Sequence, residues 1–173
     1  IRAYGNDGNG TDSGHVRIYN YNGTAWAQLG GDIDGEAVND AYNNSRPQPL
    51  SLSSDGTIVA IGAIFNDGNG VDSGHVRIYN YNETAWIQLG EDINGEATND
   101  HFGWSISLSS DGKTIAIGAV DNDGNGSASG HVRIHNYNGT AWTQLGADID
   151  GEDANDLFGF SVSLSSDGKT VAI

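Results

Sequence analysis

The residues best suited to chemistry are three acidic clusters: Asp32, Asp34, Glu36 and Asp40; Asp92, Asn94, Glu96 and Asp100; and Asp148, Asp150, Glu152 and Asp156. Oxygen ligands at positions 1, 3, 5 and 9 of a curled loop suit a hard cation such as calcium, because alternate side chains can aim inward. These residues are candidate calcium ligands, although the interposed glycine falls at position 4, which is not the EF-hand spacing. The competing reading is that Asp and Asn make side-chain-to-backbone turns and keep a surface rim soluble. A second recurring loop, Asn6-Asp7-Gly8-Asn9-Gly10, Asn66-Asp67-Gly68-Asn69-Gly70 and Asn122-Asp123-Gly124-Asn125-Gly126, has one central carboxylate, with Asp121 added only in the third copy. That is a turn signature first.

His15, His75 and His131 recur beside Arg17, Arg77 and Arg133. A catalytic base is usually part of one asymmetric constellation, so recurrence points instead to packing or to a hydrogen bond between repeats. No nucleophile elbow and no unique acid pair is visible, and the expectation is that the chain is not an enzyme. Trp26, Trp86 and Trp142 also recur. They read as core or edge packing, or, as an alternative, as platforms on which sugar rings stack. Asn22-Gly23-Thr24, Asn82-Glu83-Thr84 and Asn138-Gly139-Thr140 are glycosylation sequons, candidate glycan acceptors at Asn22, Asn82 and Asn138 in a secreted chain. As a turn that simply uses Asn and Thr, the same pattern needs no glycan.

The 173 residues carry 7 Lys and Arg against 23 Asp and Glu, a formal net charge of −16. That field repels a phosphate backbone and anionic lipid, which argues against nucleic acid as a partner. No apolar run is long enough to span a membrane, so membrane insertion is not expected. With no cysteine, disulfides, zinc–thiolate sites and thiol nucleophiles are excluded. No cofactor is required by any of these motifs, calcium being the one candidate.

The elements that must position these residues form a repeat. SLSSDG begins at Ser51, Ser107 and Ser163, and SGHVRI at Ser13, Ser73 and Ser129, a unit of about 56 residues with an insert between Asp40 and Ser51 that holds Pro47 and Pro49. Within a unit, period-2 or continuous apolar runs predict strands over Trp104 to Leu108, Thr114 to Ala119, His131 to Tyr137 and Ala141 to Leu145. Ser110-Asp111-Gly112-Lys113 between the first two is a hairpin turn. No segment shows a capped 3.6-residue apolar stripe. Four antiparallel strands per unit predict an all-β fold of β-propeller blades, each hiding its second apolar face against a neighbour. Residues 1–173 then form a single repeat domain: 1–40 the second half of a blade plus its connection, 41–100 a blade, 101–156 a blade, and 157–173 the first half of another. Ile1 and Ile173 both align with Ile117, so the expected architecture is a partial or multi-chain propeller, completed by other blades of the same protein or by further copies.

The motifs Asn99-Asp100-His101-Phe102-Gly103, Ile115-Ala116-Ile117-Gly118-Ala119, Gly130-His131-Val132-Arg133-Ile134 and Ala141-Trp142-Thr143-Gln144-Leu145-Gly146, with Phe158-Gly159 in the last unit, resemble the FG-GAP repeat of integrin α-subunit propellers and its bacterial and algal variants. The resemblance implies a secreted or cell-surface module for adhesion, recognition or scaffolding, with extracellular glycans or proteins as partners. Two departures limit it. The hairpins where integrin-type repeats carry calcium are here only short Asp-Gly turns at Asp55, Asp111 and Asp167, and the second unit lacks Phe-Gly.

Overall fold

The computed structural model describes residues 2–3, 6–36 and 49–173. Among these there is no helix, and hence none long and apolar enough to cross a membrane. The architecture is that of propeller blades. In the third unit, strands Ser105–Leu108, Thr114–Ala119, His131–Tyr137 and Trp142–Gln144 pair antiparallel in sequence order. The second unit repeats this with Leu50–Leu52, Ile58–Ala63, His75–Tyr81 and Trp86–Gln88. Arg2–Ala3, His15–Val16, Tyr19–Tyr21 and Trp26–Gln28 belong to a preceding blade, and Ser163–Leu164 with Val171–Ala172 open a following one. Among the described residues the sheets do not close into a ring.

The fourth strand differs from its predicted form. It is shorter than Ala141 to Leu145, and after a break it resumes as Ile149–Asp150, which pairs with the other end of His131–Tyr137. Ile33–Asp34 and Ile93–Asn94 do the same in the other units. The break follows from Gly146, whose φ of 83° turns the chain out of the pleat after Leu145 N–H has bonded the Ile134 carbonyl. Asp-Ile-Asp is therefore a short edge strand, with Ile33 and Ile93 facing the core and Asp34 and Asn94 facing solvent.

The apolar core lies between blades. Val76, Ile78 and Ile93 of one blade pack with Leu108, Ile115 and Ile117 of the next, and fully buried Phe102 sits among them. Val16, Ile18 and Ile33 likewise pack with Val59. Both faces of a central strand are covered, which is why its polar face, His131, Arg133 and His135, is as buried as Val132. Close approach explains the small residues: a Cβ on Gly118 would stand 2.2 Å from the Gly159 carbonyl oxygen and 2.6 Å from Ser105 Oγ.

Candidate functional site

The seam between blades has the same construction twice. Trp86 Nε1–H donates to the Leu29 carbonyl at 2.8 Å, and Trp142 Nε1–H to the Leu89 carbonyl at 2.7 Å. Each indole lies over a glycine, since a Cβ on Gly30 or Gly90 would fall about 3 Å from Trp86 or Trp142 Cδ1. At the inner strands, Leu108 N–H donates to Ser51 Oγ and Leu164 N–H to Ser107 Oγ. Ser54 and Ser110 N–H groups donate to the Ser110 and Ser166 carbonyls, both at 3.0 Å. Two of the three recurring tryptophans are thus held in seams, while Trp26 is 69% exposed.

An ionic layer completes the seam. Arg77 is bonded both to Asp92 of its own blade, with Nε 3.0 Å from Oδ1, and to Glu36 of the preceding one. Arg133 does the same with Asp148 and Glu96. Burial works against the charge on Arg77, but its hydrogen bonds to Asp92 and Glu36 outweigh it and raise its pKa. Arg17 grips Asp32 with Nε and Nη2, and these bonds together with one from Gln28 hold Asp32 down to about 2. Burial depresses the pKa of His131, against the pull of Asp148, and brings His135 down to about 4.

The candidate calcium ligands are dispersed by this arrangement. Position 1 (Asp32, Asp92, Asp148) pairs with the arginine of its own blade, and position 5 (Glu36, Glu96) reaches the next blade's arginine. Glu152 is exposed. Position 3 (Asp34, Asn94, Asp150) faces outward on the edge strand beside the Asn-Asp-Gly loop. At position 9, Asp100 is buried and accepts from Ala97 N–H and Asn122 Nδ2, Asp156 accepts from Asp153 N–H, and Asp40 lies outside the described residues. In the second connection the oxygens at positions 1, 5 and 9 are thus each taken by a different partner. The glycine at position 4 serves close packing instead, since a Cβ on Gly95 or Gly151 would stand 2.2 or 2.1 Å from the Ser73 or Ser129 carbonyl oxygen. Carboxylates and histidines do regroup as His15, Asp32 and Asp34; Glu36, His75 and Asp92; and Glu96, His131 and Asp148. In the last two groups an arginine already supplies the positive charge.

The Asn-Asp-Gly loops are turns tied by their own side chains: Asn66 Oδ1 accepts from Gly68 N–H, Asp67 Oδ1 from Asp72 N–H, and Asn69 Nδ2 donates to the Gly95 carbonyl. The sequon residues Asn22, Asn82 and Asn138 are exposed, and each Oδ1 accepts from the Thr N–H, the Thr hydroxyl and the following Ala N–H.

One constellation breaks the repeat. His101 Nδ1 lies 2.7 Å from Asp121 Oδ2, with the imidazole edge-on to Phe65 (5.6 Å) and Trp104 (6.4 Å). His101 is buried, and the Asp121 side chain is 29% exposed. A carboxylate that orients an imidazole through Nδ1 leaves Nε2 to carry a proton. The pair was legible only as a departure from the repeat, because the positions aligned with His101 and Asp121 in neighbouring units hold Leu157 and Phe65.

Comparison with known proteins agrees with the blade reading. The pattern defining the FG-GAP repeat matches residues 94–134, which run from the edge strand of one blade through the central strands of the next. No curated protein sequence matches the chain. Among solved structures, the periplasmic gluconolactonase PpgL of Pseudomonas aeruginosa superposes with a TM-score of 0.50 at 16% identity, over 90% of this chain and 41% of that one. The chain thus spans under half the length of this structural relative, and at that identity the likeness is one of fold. It corrects one expectation. Recurring histidines and the lack of a nucleophile elbow or unique acid pair point away from an enzyme, yet the same fold carries an enzyme in this relative, so the fold does not argue against catalysis.

Proposed function

We propose that the chain is a structural or adhesive β-propeller module of the cell surface or of secreted material, working within a larger protein or assembly. The observation that carries this reading is the seam. Tryptophan–carbonyl bonds, serine bonds and arginine–carboxylate bridges recur at the repeat spacing and hold the blades as one rigid stack. Such a stack presents one exposed Asn-X-Thr turn per blade at one end of its strands and one Asn-Asp-Gly loop per blade at the other. Identical loops at fixed spacing give multivalent contact, in which weak sites add to useful avidity. The test is retention of the labelled chain on arrays of extracellular glycans and matrix proteins. Retention on defined components, reduced when the exposed turns at Asn22, Asn82 and Asn138 are replaced, supports the module. Uniform lack of retention by folded protein overturns it, and retention on glycans alone identifies the carbohydrate-binding form.

A second reading rests on His101 and Asp121. A buried imidazole held by a carboxylate suits proton transfer to or from water, and a propeller of this shape acts on a sugar lactone in the Pseudomonas enzyme. Hydrolysis of gluconolactone by the chain, lost in His101→Ala and in Asp121→Asn with the fold intact, supports it. Equal rates with and without protein remove it.

A further inference from the structure

A groove of about 430 Å³ opens on the seam between the second and third blades. Its walls are Glu91 and Asn94, just before and within the edge strand of the second blade, and His135, Thr140 and Trp142 of the third. Among the described residues no lysine or arginine lines it. Asp92 also borders the groove but is occupied, since its carboxylate accepts from Arg77 Nε at 3.0 Å and from Gln88 Nε2 at 2.6 Å. Glu91 is exposed and forms no hydrogen bond or ion pair among the described residues. The groove therefore carries an uncompensated negative charge.

The polar atoms left free there are mostly acceptors. The Thr140 hydroxyl donates to Asn138 Oδ1 at 2.8 Å, which leaves its lone pairs for a ligand. His135 is 8% exposed, and its Nδ1 is buried without a hydrogen-bond partner. Burial keeps this imidazole neutral at pH 7, its pKa down at about 4. Because Nδ1 has no acceptor to donate to, the tautomer with the proton on Nε2 is favoured and Nδ1 presents a lone pair. A buried polar atom left unpaired is a cost that a donor from outside removes. Trp142 offers ring surface, since its Nε1–H is committed to the Leu89 carbonyl. The combination is not a property of the repeat: the positions of Glu91, Asn94 and His135 hold Gly31, Asp34 and Tyr79 at the first seam.

We propose that this groove receives a primary ammonium group carried on an apolar stem, as a lysine side chain of a partner protein presents it. The match is one of charge and of hydrogen-bond sense. An ammonium brings a positive charge and donors only, and meets the Glu91 carboxylate, Thr140 Oγ1, Asn94 Oδ1 and His135 Nδ1. Its methylene stem lies along Ala141 and the indole of Trp142, which also attracts the charge through its π face. A guanidinium suits this set less well, because its planar fork is made for paired oxygens and the acceptors here come singly from separate side chains. Phosphate and carboxylate groups are repelled, and a neutral sugar leaves the charge on Glu91 unanswered. The site gives the adhesive reading a partner chemistry and rests on that reading for its role.

The test is a titration of the isotope-labelled chain with Nα-acetyl-lysine methylamide at low ionic strength, followed by NMR, with the Nε-acetylated form of the same probe as control. Saturable shifts of the Glu91, Asn94 and Thr140 amides and of the Trp142 indole N–H are expected with the first probe. None is expected with the second, which keeps the stem and loses the charge. Glu91→Gln, an exposed change that leaves the fold intact, is expected to weaken binding about tenfold, because hydrogen bonds to charged groups are among the stronger ones. Glu83→Gln, which removes a carboxylate from an exposed turn outside the groove, is expected to change nothing. Equal binding of the two probes, equal losses in Glu91→Gln and Glu83→Gln, or the absence of saturable shifts overturns the site. Probe binding in the groove without retention on the arrays counts against the adhesive module alone. Retention on the arrays without probe binding counts against the groove alone.

Discussion

The three recurring tryptophans allow the seam to be weighed inside one molecule. Each stacks on a tyrosine of its own blade at nearly the same distance, 5.5 Å for Tyr21–Trp26, 5.2 Å for Tyr81–Trp86 and 5.3 Å for Tyr137–Trp142. Replacing any of them by alanine removes that pair, worth about 1 kcal/mol. Trp142 in addition packs against the core cluster shared by two blades and donates to the Leu89 carbonyl. Truncating a fully buried aromatic costs about 3–5 kcal/mol, so a half-buried one costs about 2, and the lost hydrogen bond adds about 1. Trp142→Ala is therefore expected to destabilise by about 3 kcal/mol and Trp26→Ala by about 1. Urea unfolding of dilute protein reads the difference as a shift in midpoint at unchanged slope. Trp142→Phe, which keeps most of the ring but loses the indole N–H, should fall between them. Equal losses for Trp142→Ala and Trp26→Ala would show that the indoles act within blades only and that the seam contributes nothing through them.

Gly118→Ala should cost about 3 kcal/mol through overpacking against the next blade, while Gly31→Ala, with open space around its Cα, should be neutral in the same unfolding measurement. Arg133→Ala, which strands Glu96 and Asp148 beside a buried histidine, should cost about 3 kcal/mol, with little relief from added salt. His135 is buried neutral with its pKa down at about 4, below the unfolded value, so its contribution is complete above pH 6.5 and is lost as pH falls toward 4. His135→Tyr, the residue found at positions 19 and 79, should flatten that part of the stability–pH curve. Millimolar calcium should move the melting temperature by less than about 1 °C, because Asp32, Asp92 and Asp148 are already held by arginines. A rise of several degrees would mean that they regroup around an ion.

Much of the blade was legible because its signals are local. Asp111-Gly112 between two apolar runs specifies a hairpin, and Thr114–Ala119 and His131–Tyr137 occur with the bounds that alternation predicts. The edge strand Ile149–Asp150 was hidden because a two-residue strand has no period, and because Asp-Ile-Asp-Gly-Glu looks like a cation loop when only ligand types are counted. What separates the two is the place of each side chain relative to the neighbouring blade: Asp92 turns toward Arg77, and Glu36 reaches the same arginine from the blade before it. Such contacts are about 15 residues and one blade apart, so spacing within a motif cannot show them. The same holds for the tryptophans, whose carbonyl partners lie 57 and 53 residues earlier in the chain. His101 and Asp121 were visible as letters that break the repeat, but their 2.7 Å approach depends on how the connection folds over the end of the second strand.

The claim that blades associate through one repeated seam is tested most directly by a double-mutant cycle across it, Arg133→Ala with Glu96→Ala, read by urea unfolding. The account predicts a coupling energy of about 1 kcal/mol between the two sites. Strictly additive losses would contradict it.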